Sequence, residues 1–209
     1  MIHDTTVFFD LETGGLKSNS PIIQIGAIAV NKLRVEEEFE VKLKFDMQYC
    51  DPKALEINNY TAEAWKEAVS EAKALHLFSA MLRRHSCVDK VSKRNKAYRV
   101  ARLAGHNIAR FDCPIIRAAY ERLDEFMPAD LFRPLDTLHL AWWKFAEEPP
   151  DKQPPRFTLT ALCQYYNIGK LGNTPLAEAK LHDAVSDCYG AFEIAKCMLG
   201  VLTPISKDH

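Results

Sequence analysis

Two periods organise the hydrophobic positions of this chain. Residues 5–11 (TTVFFDL) are a short β-rich apolar run that predicts a buried strand. The segment 12–16 (ETGGL) breaks it, because paired glycines permit a tight turn. Residues 21–30 (PIIQIGAIAV) predict a second strand. Residues 35–45 (VEEEFEVKLKF) alternate, with Val41, Leu43 and Phe45 on one face and charges between them. These three runs predict an antiparallel meander at the front of a sheet.

A helical period follows. Thr61 fits an N-cap, and Ala62, Trp65, Val69, Ala72, Leu75, Phe78 and Leu82 recur at three- and four-residue steps. Residues 83–102 change character: Arg83, Arg84, Lys90, Lys93, Arg94, Lys96, Arg99 and Arg102 stand against a single acid, Asp89. Such a stretch is either a solvated loop or a surface that lines the backbone of a bound polyanion. A turn is expected at His106-Asn107, then a helix over 115–123 with Pro114 in its first turn. A short strand within 135–140 runs into a helix carrying Trp142 and Trp143, whose rings are expected to pack. Residues 147–155 (EEPPDKQPP) read as a proline-rich surface loop, and 159–166 and 184–199 as helices. Strands first, then alternating helix and strand, imply an α/β or mixed sheet with helices packed on it. Short connections favour a single domain over 1–209.

Composition narrows the class. The chain has 209 residues, 47% hydrophobic and 26% charged, which suffices for a substantial core without disulfides. Its net charge of −1 does not announce a polyanionic partner, so binding one requires a local basic surface or bound cations. The six cysteines (Cys50, Cys87, Cys113, Cys163, Cys188, Cys197) form no C-x-x-C pair and read as free thiols of a reducing compartment. No basic-then-apolar leader and no run of about 18 apolar residues is visible, so a soluble cytoplasmic protein with no membrane contact is expected.

Three groups of residues carry chemistry. Asp10 and Glu12 end the first predicted strand, where residues two apart point to the same side. Two carboxylates in a partly buried place need a proton or a cation between them. Asp112 starts a predicted helix, and Asp187 lies in the first turn of the last one, with His182 just before it. Each group alone has an ordinary reading: an exposed strand end, a helix cap, an acidic helix start. Together they are the inventory of a two-metal phosphoryl-transfer site, which needs several carboxylates around two ions roughly 3.5–4 Å apart. Hard cations such as Mg²⁺ favour oxygen ligands. A histidine suits a general base at neutral pH.

The motifs FDLETGG at 9–15, HNIARFD at 106–112 and HDAVSD at 182–187 resemble the three exonuclease motifs of the DEDDh family. That family includes the proofreading exonuclease subunits of bacterial DNA polymerases, oligoribonucleases and related stand-alone 3′–5′ exonucleases. All three occur in the family's order, and they span nearly the whole chain. The resemblance implies an RNase H-like fold with a five-stranded mixed sheet flanked by helices. It implies that Asp10, Glu12, Asp112 and Asp187 hold two divalent cations, Mg²⁺ or Mn²⁺. It further implies that His182 deprotonates the attacking water, and that nucleoside 5′-monophosphates leave from a free 3′ end of single-stranded DNA or RNA, with DNA favoured.

One departure stands out: the family usually has Thr-Thr-Gly or Ala-Thr-Gly after the glutamate, and here it is Thr13-Gly14-Gly15. Gly14 lacks a hydroxyl that would help to position the terminal nucleotide, so Gly14→Thr is expected to retain cleavage and tighten 3′-end binding. Thr13 and Leu16 carry over as substrate contacts, Leu16 at a position where relatives place an apolar side chain between bases. Asn107 either orients the Asp112 loop or caps a turn. Trp65 is a candidate for stacking on a base, or a core residue of its amphipathic helix. Two other functions stay open: a catalytically silent nucleic-acid-binding or scaffold module, and an enzyme acting mainly on RNA fragments. No polymerase-binding tail is evident, so a stand-alone enzyme is expected and a polymerase partner is not indicated.

Overall fold

A computed structural model describes residues 5–16, 20–175 and 183–200. Strands β1 (Thr6–Thr13), β2 (Ile22–Asn31) and β3 (Arg34–Lys42) form the expected antiparallel meander. A short helix α1 (Pro52–Ile57) follows, capped by the Asp51 side chain, which accepts from Lys53 N. Helix α2 (Glu71–Arg84) leads to strands β4 (Ser86–Val91) and β5 (Ala97–Gly105). Then come α3 (Asp112–Arg122), β6 (Ala129–Asp136), α4 (Thr137–Phe145) and α5 (Leu159–Tyr165). A two-stranded ribbon of β7 (Lys170–Leu171) and β8 (Thr174–Pro175) precedes the last helix, α6 (Ala184–Met198).

The sheet is mixed and has six strands rather than five. Its order is β3-β2-β1-β5-β4, with β6 pairing β5 as well. Strand β1 runs parallel to β5 through Val7↔Leu103 and Phe8↔Ala104. The N-terminal half of β5 pairs with β4 and its C-terminal half with β6. Side-chain alternation along β1 splits the core into two layers. Val7, Phe9 and Leu11 pack with Phe78, Met81 and Leu82 of α2 and with Ile116 and Tyr120 of α3. Phe8 faces the other way, against Val185, Cys188, Ala191 and Phe192 of α6. All six cysteines are free thiols, and among the described residues no helix is long and apolar enough to cross a membrane.

Several expectations need correction, and one is the packing of the Trp142 and Trp143 rings, which stand 46% and 83% exposed. The helical period predicted from Thr61 holds only from Glu71 on, for the chain from 62 to 67 forms turns. Val69 is the reason, because its N–H donates to Lys42 O and its C=O accepts from Lys44 N, which ties it to the sheet edge. Ser70 then caps α2 with its hydroxyl on Lys73 N. The basic stretch 83–102 is not a loop: it ends α2 and forms the β4–β5 hairpin, turning at Asn95 with φ 57°. Strand β6 begins six residues earlier than the strand expected at 135, and tolerates Pro134 because it pairs only with β5.

Candidate active site

The site sits where β1 ends. The strand runs two residues past Leu11, so Asp10 and Glu12 both lie within it, on the Phe8 side that faces α6. Asp10 is opposite Gly26 in β2, and Glu12 is opposite Gln24. Gly26 allows the helix to arrive. A Cβ there would lie 2.5 Å from the Ala184 carbonyl carbon and 2.6 Å from Val185 N, backbone that cannot yield cheaply. The first turn of α6 therefore presses onto β2 beside Asp10, with the Cys188 thiol 3.4 Å from Gly26 O. Asp187 lies in that first turn, its N–H donating to Asp183 O. Ligand atoms of Asp10, Glu12 and Asp187 lie within 4.8 Å of one another.

Asp112 closes the group from α3. It is buried, and its Oδ1 accepts from Leu11 N at 2.9 Å, tying the start of α3 to β1 between the two strand acids. The loop that delivers it is held by Asp136. One carboxylate oxygen of Asp136 accepts from Asn107 N and Leu138 N, the other from Ala109 N, each at 2.9 Å. Asn107 takes φ 62°, and its C=O accepts from Arg110 N and Phe111 N. It is therefore the left-handed turn residue that orients the Asp112 loop. His106 is fixed beside it, Nδ1 2.9 Å from Thr137 Oγ1, and burial lowers its pKa.

Electrostatically the cluster is acidic, with Glu12 and Asp112 buried and Asp10 and Asp187 half-buried. Burial raises Asp10 well above the ordinary carboxylate range, and Asp112, Asp187, Glu12 and Asp183 push it further. Burial, then Asp187, Asp112 and Asp183, raise Glu12 to about 8. Burial raises Asp112 to about 7, with Asp136 and Asp187 adding to it and the Leu11 N–H opposing it. Among the described residues no lysine or arginine forms an ion pair with Asp10, Glu12 or Asp112. Converging carboxylates raised toward protonation, with Asp10, Glu12 and Asp112 free of lysine or arginine ion pairs among the described residues, have the donor chemistry of a hard divalent cation.

Sequence reasoning missed the supports. Asp183 caps α6, accepting from Ser186 N and Ser186 Oγ. Buried Gln24 donates through Nε2 to Asp183 Oδ1 at 3.1 Å and to Glu40 Oε1 at 2.9 Å. Its place directly opposite Glu12 was readable only once the β1–β2 register was known.

The substrate candidates divide. His182 lies outside the described residues. Leu16 stands 90% exposed beside the turn. Thr13 is buried and its hydroxyl donates to Gly15 O, so its side chain shapes the turn rather than reaching outward. Trp65 is packed with Ile23, Leu55 and Tyr60, and its indole N–H donates to Ile23 O at 3.1 Å. It is a core residue and offers no free face for a base. Gly14 has a reason of its own, because a Cβ there would lie 2.5 Å from Cys50 Sγ and 3.1 Å from Pro21 Cδ. Any side chain at this position has to displace Cys50 Sγ, which bears against the expectation that Gly14→Thr tightens 3′-end binding.

A six-stranded mixed sheet flanked by helices, with acids from β1, α3 and α6 meeting at one strand end, defines an exonuclease-type α/β domain. The chain belongs to the exonuclease family RNase_T, which matches residues 7–195. Protein NEN3 of Arabidopsis thaliana is 25% identical over 209 residues, covering 95% of this chain and 36% of that protein. E. coli exonuclease I in complex with a dT13 oligonucleotide superposes with a TM-score of 0.67 at 22% identity, over 93% of this chain and 41% of that one. The zinc-bound form of the E. coli exonuclease I–single-stranded DNA complex superposes at 0.64 and 22% identity, over 93% and 40%. The chain thus spans well under half the length of these relatives.

Proposed function

We propose that this domain is a metal-dependent 3′–5′ exonuclease that releases nucleoside 5′-monophosphates from single-stranded nucleic acid, with DNA favoured over RNA. The observation that carries this reading is the convergence of Asp10, Glu12 and Asp187 within 4.8 Å, with Asp112 pinned to the same strand. Support comes from family membership and from the structural relatives, which include exonuclease I with a single-stranded oligonucleotide and with zinc.

Asp10, Glu12, Asp112 and Asp187 would hold two cations, Mg²⁺ or Mn²⁺. When bound, the cations supply activation of water and neutralisation of the charge that develops at phosphorus. The chain's own residues do the positioning. Asp112 and Asp136 lock the α3 approach, and Gln24 and Asp183 lock the α6 approach. His182, immediately before Asp183, accepts the proton of the attacking water. Leu16 separates the last two bases and so registers the terminal phosphodiester. Residues 1–209 act as one catalytic unit.

The test is incubation with a 5′-labelled single strand, as DNA and as RNA, with Mg²⁺, with EDTA, and as Asp10→Ala. A ladder shortening from the 3′ end, present with Mg²⁺ and lost in the other two arms, is the expected result. Intact binding without cleavage in either Mg²⁺ or Mn²⁺ sinks the enzyme in favour of a silent binding module.

A further inference from the structure

The rings of Trp142 and Trp143 lie outside the core, and a cleft opens beside the first of them. It measures about 390 Å³. Its walls are His106 and Asn107 from the loop after β5, Leu138 and Trp142 from α4, and residues 157–159 where the chain enters α5. The His106 ring ties two of these walls together, with Nδ1 2.9 Å from Thr137 Oγ1 and a hydrogen bond to the Phe157 backbone.

This cleft shares a sheet face with the carboxylates and lies one strand away from them. Phe8 and Ala104 pair across the parallel strands β1 and β5, and both belong to the α6-side core, against which Leu159 packs. Two residues further on, Asp10 and His106 therefore stand level and on the same side. Neighbouring strands are about 5 Å apart. Gly105 marks the close approach, since a Cβ there would lie 2.8 Å from Phe9 O. The loop that supplies His106 and Asn107 to the cleft also delivers Asp112 to the acids, and the Asp136 carboxylate fixes it by accepting from Asn107 N and Ala109 N.

The lining identifies the occupant. No carboxylate borders the cleft, which is walled by aromatic and apolar side chains. Trp142 is half-exposed, and the His139 ring covers part of it, with centroids 5.2 Å apart. Arg110, on the same loop as Asn107, and Arg156, immediately before Phe157, are exposed and form no ion pair among the described residues. An uncharged aromatic slot continuous with a phosphate-cleaving centre matches the flat ring of a base, which stacks whatever its identity. Leu16 follows the end of β1 on the β2 side of Asp10, whereas the cleft lies on the β5 side.

We infer that the cleft receives one unpaired base of the strand, stacked on Trp142 and upstream of the two that Leu16 separates. The inference rests on the exonuclease reading above. A base held there is withdrawn from pairing, so the cleft itself selects a single strand over a duplex.

The experiment measures equilibrium binding of 5′-labelled hexanucleotides, intact or with one abasic site at the third, fourth or fifth position from the 3′ end. Mg²⁺ and an Asp10→Asn background keep the strand from being consumed, and the result stands even if the protein proves not to cleave. Expected is a loss of about tenfold at one of the three positions, the scale of one base stacked on an aromatic ring. Trp142→Ala should weaken the intact strand about tenfold and erase the abasic penalty, and Trp142→Phe should retain part of both, with thermal melts as the check on folding. Abasic sites that cost nothing in the parent, or a penalty that persists in folded Trp142→Ala, overturn the inference. So does a dimer that dissociates in Trp142→Ala, which would assign the ring to a second copy of the chain.

Discussion

The two ends of β5 handle charge in opposite ways. At its C-terminal end, beside Phe9, acids from three elements converge, and burial of Glu12 and Asp112 raises them to about 8 and about 7. At its N-terminal end the cations of the hairpin lie in water, where charge costs little and attracts weakly. Buried like charges build a site that is unstable by itself and selective for what neutralises it. Exposed charges build a surface that attracts any polyanion and yields to salt.

The comparison breaks first at Gly26. Gly26→Ala forces α6 away from β2, because the new methyl meets Ala184 and Val185 backbone inside 3 Å. Cleavage should fall about 100-fold from the displacement of Asp187, with roughly 1–3 kcal/mol of stability lost, read from single-turnover rates and denaturant melts. Full activity in Gly26→Ala would mean that the close approach is not needed.

Next is the pH dependence of the metal-free protein. Glu12 is raised from 4.5 to about 8 and Asp112 from 3.8 to about 7, so between those limits the folded chain binds more protons than the unfolded one. Stability therefore falls as pH rises from about 4 to about 8. A net loss of about 2 kcal/mol would lower Tm by roughly 4–8 °C in EDTA. Excess Mg²⁺ should restore it most at the alkaline end, and Asp112→Asn should flatten the slope. A rising Tm over the same range would contradict the buried cluster.

Gln24→Ala sharpens the comparison at smaller scale. It removes the donor that joins Asp183 to Glu40 while leaving every carboxylate in place. Activity should drop about tenfold, in kcat rather than in KM, the range seen when a ligand's supporting partner is removed. Equal losses in a short-strand KM would place Gln24 at the substrate instead. Smallest is Gly14→Thr, which should weaken activity a few-fold and regain it with Cys50→Ala, since Sγ is the atom in the way. Failure of the second change to help would shift the blame to Pro21.

Much of this was legible from sequence. Continuous apolar runs were enough for the first two strands, which are buried almost throughout, and helical spacing was enough for α3 and α6. The spacing of Asp10 and Glu12 was enough to put both on one side of a strand, and the motif order was enough to expect Asp112 and Asp187 beside them. Residues distant in sequence decided the rest. Val69 left its helical period because a sheet edge offered its backbone two hydrogen bonds. Trp65 went into the core because Ile23 O lay in reach of its indole. Gly14 has little room for a side chain because Cys50 fills the space, and Gln24 acquires its role only where the β1–β2 register sets it opposite Glu12. Sequence by itself determined which groups this protein brings to its chemistry. Tertiary structure decided which of them meet, because burial, register and close approach are set between residues far apart in the chain.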